Sequence, residues 1–149
     1  MRHISNRRVL ALCLPCLLLA LVVPALARYG RDFAGTYQVD NVSEDANVVH
    51  LTLTVKIFNN GDEDIRNGAV ALYDQQPRPR SLGGFPAIQI FRLHQEVTLK
   101  GQFDVPKIEY EHWKSGGQPN LFFLSRDHGM VRMRGIQVSR ALQAPPQEQ

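Results

Sequence analysis

Cysteine is nearly absent from this chain of 149 residues, and both cysteines, Cys13 and Cys16, lie in the first 27 residues. The remaining sequence therefore lacks a thiol nucleophile, a thiolate metal ligand and a disulfide. An excess of positive charge is missing too. Three of the 17 Lys and Arg residues precede residue 28, which leaves 14 to balance 14 Asp and Glu residues. A neutral chain does not carry the broad basic surface of a nucleic-acid-binding domain, so we expect no nucleic-acid partner.

Sequence signatures of catalysis are also missing. The chain contains no Gly-x-Ser-x-Gly nucleophile elbow, and its few serines lie in predicted loops. Glu109 and Glu111 are two residues apart in a predicted helix, so they point to different sides and do not form a glycosidase pair. We therefore expect no enzyme activity and no cofactor.

The first 27 residues have the order of parts of a secretory signal peptide. Three arginines precede an apolar run from Val9 to Val23, Pro24 follows, and Ala25-Leu26-Ala27 supplies small residues for cleavage after Ala27. The sequence thus predicts a secreted or periplasmic protein with no membrane span once the signal is removed. The alternative is an uncleaved anchor, because residues 9–27 are nearly long enough to span a bilayer.

The sequence after residue 27 divides into three parts. Residues 28–34 are predicted to be a linker, residues 35–140 a single domain, and residues 141–149 a polar, disordered tail. Within the domain, the proline- and glycine-containing segment 75–86 is predicted to be a loop. The 122 residues from 28 to 149 are enough to build one hydrophobic core without cross-links.

Two long segments alternate between apolar and polar residues, which is the pattern of half-buried strands. In segment 49–57 and again in segment 96–105, every odd position is apolar or glycine, and the even positions between them are polar. One face of each strand is therefore expected to pack and the other to contact water, as antiparallel sheets allow.

Shorter segments are predicted to complete the sheet. They are Thr36–Val42, Ala69–Tyr73, Ala87–Leu93, Leu121–Arg126 and Met130–Ser139. The last two are expected to form a hairpin around a three-residue loop, Asp127-His128-Gly129.

The last strand changes its apolar phase. Val131 and Met133 alternate, and after Gly135 the apolar positions become Ile136 and Val138. We interpret Gly135 as a β-bulge, which places Met133 on the buried face.

One segment, near residues 106–115, is predicted to be a short helix. Pro106 suits the first turn, Glu109 the positive end, Lys114 the negative end, and Gly116 can end the helix. Tyr110 and Trp113 are three residues apart and share a side, so we expect them to cover one end of the core. Exposed rings at these two positions are the alternative, and they would stack on sugars as in a carbohydrate-binding module.

The stretch LTLTVKIFNNGDEDIRNGAVALYD, residues 51–74, resembles the second and third strands of bacterial secreted immunoglobulin-like modules. These modules are named for cell adhesion or grouped with fibronectin type III. The resemblance implies an all-β fold, an immunoglobulin-like antiparallel β-sandwich of about seven strands. It also implies a non-catalytic role, since such modules mostly bind, space or display.

The acidic segment between the second and third strands contains candidate ligands for a metal ion. An EF-hand frame starting at Asn60 places Ile65 at position six and Ala71 at position twelve, where glycine and a bidentate glutamate are needed. The segment is therefore predicted to be a turn. A calcium-stabilised surface module with Asp62 and Asp64 as ligands remains as an alternative.

Three arginines, Arg126, Arg132 and Arg134, are expected to share one face of the final hairpin. Such a stripe on a neutral protein predicts a partner-binding surface for an unknown protein or an anionic component of the cell envelope, which would dock by strand addition along an open edge. The alternative is a solvated face whose arginines protect an edge strand from aggregation.

Overall fold

The alternating sequence forms eight β-strands and one helix in the computed structural model, which describes residues 32–141. The strands are β1 (Phe33–Glu44), β2 (Val48–Asn59), β3 (Ile65–Tyr73), β4 (Ser81–Gly84), β5 (Ile88–Phe91), β6 (Glu96–Pro106), β7 (Asn120–Asp127) and β8 (Met130–Arg140), and helix α1 is Lys107–Lys114. The all-β prediction with one short helix is confirmed. The predicted signal peptide and most of the predicted tail lie outside the described residues.

Strands β2 and β6 show the predicted alternation. All five odd-numbered residues of segment 49–57 are at most 3% exposed. They pair with the odd-numbered residues of β6, Leu51 with Phe103 and Leu53 with Gly101, for example. A Cβ atom at Gly101 would lie 2.7 Å from the Phe103 ring, so the missing side chain leaves room for that aromatic residue. Each fully buried aliphatic side chain contributes about 1.5–3 kcal/mol, which makes this strand pair a large part of the core.

The strands follow one another in the order β4-β3-β7-β8-β1-β2-β6, and β5 also pairs with β3. Strand β1 joins the two halves, because it pairs antiparallel with β2 and parallel with β8. The ends of the sheet then approach each other: Phe85, just after β4, packs on Phe103 of β6 with ring centroids 4.9 Å apart. The result is one nearly closed, barrel-like sheet.

Two boundaries differ from the sequence prediction. Strand β4 lies inside segment 75–86, which was expected to be a loop, and it raises the strand count from seven to eight. β4 is four residues long and contains two glycines, so it has no alternation of its own and depends on pairing with β3. Strand β1 begins at Phe33, within the predicted linker, because Phe33 is fully buried.

Three phenylalanines form the centre of one end of the core. The rings of Phe33 and Phe123 are stacked 4.4 Å apart, and Phe91 lies within 6 Å of both. These residues come from β1, β7 and β5, so their contact links the first strand to the last hairpin and to the short β5.

The predicted helix is confirmed, with Pro106 as its N-cap residue. Tyr110 is 8% exposed and Trp113 is 3% exposed, so both aromatic residues cover the core as expected. The indole N–H of Trp113 donates a hydrogen bond to the Glu109 carboxylate at 3.2 Å, which satisfies the polar end of the buried ring.

The acidic segment turns the chain as predicted, and Asn59 holds the turn together. Its side chain is fully buried and donates hydrogen bonds to the backbone carbonyls of Glu63 and Phe91, at 3.1 and 3.2 Å. Its carbonyl oxygen accepts the N–H of Gly61 at 3.0 Å, which closes an Asx turn. One amide side chain thus fixes both the turn after β2 and the end of β5.

The final hairpin differs from the prediction in both turn and register. Asp127 pairs with Met130, so the loop has two residues, His128 and Gly129, and both have positive φ. This is the geometry of the two-residue turns that match the twist of β-hairpins. Pairing then continues without a break to Leu121 and Ile136. No bulge occurs at Gly135.

Without a bulge, the predicted faces are reversed in the first half of β8, before Gly135, and are as predicted at Ile136 and Val138. Arg134 lies opposite the buried Phe123, and Arg132 lies opposite Ser125, so the two arginines share the face of Ile136 and Val138. Met133 is on the other face and is 45% exposed. The prediction that Met133 is buried is therefore wrong.

Replacing Asn59 with alanine tests the turn. The variant loses three hydrogen bonds and leaves buried backbone groups unpaired, so we expect Asn59→Ala to lower the free energy of unfolding by about 2–3 kcal/mol. Urea denaturation measures this value. The neighbouring Asn60 is exposed, and Asn60→Ala is the matched control, expected within about 0.5 kcal/mol of the wild type. Equal losses in the two variants would contradict the assignment.

Candidate functional site

The tip of the β7–β8 hairpin extends beyond the strands on either side of it. Along β7, pairing with β3 stops at Leu124, and along β8, pairing with β1 starts at Gln137. The five residues Met130–Arg134 therefore pair only with β7 among the described residues. At about 3.4 Å per residue they form an open strand edge about 14 Å long. We call Met130–Arg134 the free edge.

Large apolar side chains are exposed along the free edge. Met130 is 67% exposed, Val131 63% and Met133 45%. Val131 and Met133 lie on the outer face of the sheet, where Met133 is opposite Leu124 of β7 and Val131 is opposite Arg126. Met130 lies on the inner face at the turn, so Val131 and Met133 together form the exposed apolar surface of the outer face. Clustered exposed apolar side chains of this kind indicate a contact site.

The three arginines of the hairpin do not share one face, contrary to the sequence prediction. Arg126 pairs in register with Val131 and lies on the outer face, whereas Arg132 and Arg134 lie on the inner face. The prediction placed all three together because it assumed a three-residue turn, Asp127-His128-Gly129. Arg126 is exposed and makes no salt bridge within residues 32–141.

The two inner arginines are held by acidic residues of the domain itself. Arg132 binds Asp127 at 2.6 Å, across the turn. Arg134 binds Asp32 at 3.1 Å, and its guanidinium lies 5.0 Å from the centre of the Phe33 ring. Arg134 therefore fastens the start of β1 to β8, and it is only 25% exposed. Its role is structural, whereas Arg126 and Arg132 are accessible at the tip.

The aromatic residues considered for sugar stacking are not on the surface. Both Tyr110 and Trp113 are buried under the helix, with their rings packed edge to face 6.2 Å apart. The alternative of a carbohydrate-binding module required exposed rings, and neither residue supplies one.

The residues considered for calcium binding lie in the turn after β2. Both Asp62 and Asp64 are exposed, and the Asp64 carboxylate accepts the N–H of Leu93 at 2.7 Å. Asp64 thus ties this turn to the chain after β5. The calcium alternative stays a prediction.

A polar cluster that the sequence did not indicate lies at the opposite end of β2. Nδ1 of His50 is 2.6 Å from Asp104, and Nε2 is 3.0 Å from Asp45. The two hydrogen bonds, that to Asp104 first, raise the pKa of His50 above its ordinary value of 6.5. His50 lies on the polar face of β2, as the alternation predicted. Its two partners are 5 and 54 residues away along the chain, so the spacing of residues in the sequence does not indicate the cluster.

The carboxylates of this cluster contact opposite nitrogens of one imidazole, so they do not converge on a common point. Across residues 32–141, no three His, Asp or Glu side chains are arranged to hold a metal ion. The same part of the chain contains no helix with the length and apolar character needed to cross a membrane.

Compared with protein-family models, curated proteins and solved structures, the chain matches none of them.

The His50 cluster predicts a pH-dependent stability. Because the folded-state pKa of His50 is raised, the stabilisation is fully present below the pKa of the unfolded chain, about 6.5. It is lost as the pH rises through the folded-state pKa. We expect the difference in melting temperature between wild type and His50→Gln to be largest near pH 5.5 and to shrink toward pH 8.5.

An NMR titration of the His50 ring measures its pKa directly. Asp104→Asn removes the larger cause of the shift, so this variant is expected to bring the pKa back toward the ordinary value. A wild-type ring that titrates at its ordinary pKa, with pH-independent melting differences, would contradict the prediction.

Proposed function

We propose that this protein is a secreted or periplasmic, non-catalytic interaction module of the immunoglobulin-like class, and that the tip of its β7–β8 hairpin contacts an envelope component. The observation that carries the proposal is the exposure of Met130, Val131 and Met133 on a strand edge that projects from the sheet. Exposing these side chains to water is unfavourable, and a partner that covers them gains the apolar area.

The strand order supports the immunoglobulin-like class. An immunoglobulin-like sandwich has seven main strands in two sheets. Its first, second and fifth strands lie side by side in one sheet, and its third, sixth and seventh strands lie side by side in the other. The orders β6-β2-β1 and β8-β7-β3-β4 have the same sequence of neighbours. Two features are additional: the parallel pairing of β1 with β8 joins the halves, and β5 pairs with β3.

The N-terminal sequence supports export. Its arginines, apolar run and Ala25-Leu26-Ala27 have the order that directs a chain across a membrane. An exported module without cysteines relies on its hydrophobic core alone, and the buried faces of β2 and β6 supply one.

The hydrogen bonds that the buried acidic residues accept support a non-catalytic role. Glu109 is 6% exposed, and its carboxylate accepts the indole N–H of Trp113 and the backbone N–H of Gln75. The Asp74 carboxylate accepts the backbone N–H of Arg80 at 2.7 Å, which closes the loop before β4. Both carboxylates thus bind the domain itself.

Retention on native envelope fractions tests the proposal. In Val131→Ser/Met133→Ser the fold is expected to survive, because both side chains are outside the core, and the retained fraction is expected to fall about tenfold. Ile108→Ser is the matched control, because Ile108 is 78% exposed on α1, in a different element. Substitution of Arg134 is avoided because it removes the contact with Asp32.

Two results would count against the proposed surface. One is a hairpin double variant that is retained as well as the wild type. The other is an equal loss in Ile108→Ser, which would show that any exposed apolar residue of the domain contributes.

A further inference from the structure

We propose that the free edge, Met130–Arg134, accepts an extended segment of a partner protein in which apolar and acidic residues alternate, so that the partner adds a strand beside β8. This inference rests on the proposed function and names the kind of partner. It is carried by three features of the same five residues: unpaired backbone, exposed apolar side chains and local positive charge.

The free edge has backbone N–H and C=O groups that no described strand uses. Asp127 and Met130 flank a two-residue turn, so they form a hydrogen-bonded pair, and such pairs alternate along an antiparallel ladder. Residues 130, 132 and 134 therefore direct their N–H and C=O groups to β7. Val131 and Met133 direct theirs away from β7, where no described strand pairs with them. An added strand would use these groups, as in other strand-addition complexes.

The side chains define what the added strand carries. Val131 and Met133 lie on the outer face, so partner residues on that face gain by being apolar. Arg132 lies on the inner face and its side chain is 58% exposed, so acidic partner residues on that face meet its positive charge. From residue 120 to 140 the chain has four arginines and one acidic residue. Asp127 and Asp32 bind Arg132 and Arg134, which leaves the hairpin with more positive than negative charge. Charge complementarity thus selects an acidic segment.

Other occupants of the free edge fit less well. A second copy in the two-fold antiparallel register centred on Arg132, the middle of the free edge, would place Arg132 opposite its own equivalent, and like charges directly opposite are destabilising. The chain's own residues 28–31 include Arg28 and Arg31 and would add positive charge to a positive edge. A lipid surface offers no partner to the free N–H and C=O groups, which is costly in an apolar phase.

A direct test uses the exported form of the protein and three synthetic peptides. The probe is an acetylated, amidated heptapeptide with alternating valine and glutamate. The second peptide has lysine in place of glutamate. The third keeps valine and glutamate but is N-methylated at every second residue, which removes the N–H groups of one edge. Fluorescence anisotropy measures the dissociation constants, and amide NMR reports which backbone groups gain protection.

We expect the valine–glutamate peptide to bind and to protect the N–H groups of Val131 and Met133 from exchange. The lysine peptide and the N-methylated peptide are each expected to bind about tenfold more weakly or worse. Failure of the first peptide to bind at millimolar concentration, or equal binding of all three, would overturn the proposal. Because these comparisons change only the peptide, they do not depend on how well a variant folds.

Variants of the protein give a second comparison. Val131→Pro removes one edge N–H that is not used by β7, and it is expected to weaken binding of the valine–glutamate peptide about fivefold to tenfold. Val131→Thr keeps the N–H and is the matched control. Arg132→Gln removes the exposed positive charge of the inner face, so it is expected to reduce the difference in dissociation constant between the glutamate and lysine peptides.

Two further measurements test the other occupants, a second copy of the chain and a lipid surface. Self-association in sedimentation that disappears in Val131→Pro would assign the edge to a second copy and overturn the proposal. Binding to vesicles that contain phosphatidylglycerol, lost in Arg126→Gln and unchanged in Val131→Pro, would assign the tip to a lipid surface, with the same consequence. If the peptides fail but Val131→Ser/Met133→Ser still reduces envelope retention, the proposed function stands and strand addition is wrong.

Discussion

The two-residue turn at His128–Gly129 decides what every residue of β8 does. Because Asp127 pairs with Met130, even-numbered residues of β8 face the core and odd-numbered residues face outward. A loop one residue longer would exchange these faces, since the side-chain period of a strand is two. The same turn also decides which backbone groups of β8 point to β7 and which point to the free edge. The positive φ of both turn residues, one of them glycine, is thus the local constraint from which the interaction surface derives.

Arg134 shows how the domain accommodates the inward position that this register gives to a charged residue. Its guanidinium lies over the Phe33 ring and binds Asp32, so its charge is used instead of being left unpaired in the core. Its Nε has no hydrogen-bond partner among the described residues, which is part of the cost. The contact also fastens β1 to β8 at the point where their parallel pairing begins, and the free edge starts there.

The sequence predicted well where alternation was long and uniform, as in β2 and β6, where every odd residue packs inward. It also predicted α1, because proline and glycine mark its ends. It misassigned β8, because burying Met133 and exposing Arg134 is the usual preference. The actual arrangement depends on Phe33 and Asp32, about a hundred residues away. The sequence predicted an open edge on the final hairpin but not its extent, and it gave no sign of the His50 cluster. Both are defined by partners that are distant along the chain.

The pairing of β1 with β8 has a consequence for how the molecule forms. The first strand is hydrogen-bonded to the last, so the topology has a high contact order, and closure of the sheet must await the C-terminal residues. A polypeptide threaded N-terminus first through a narrow channel would remain unfolded until its final segment had passed. The same topology delays native collapse during synthesis until β8 has been made.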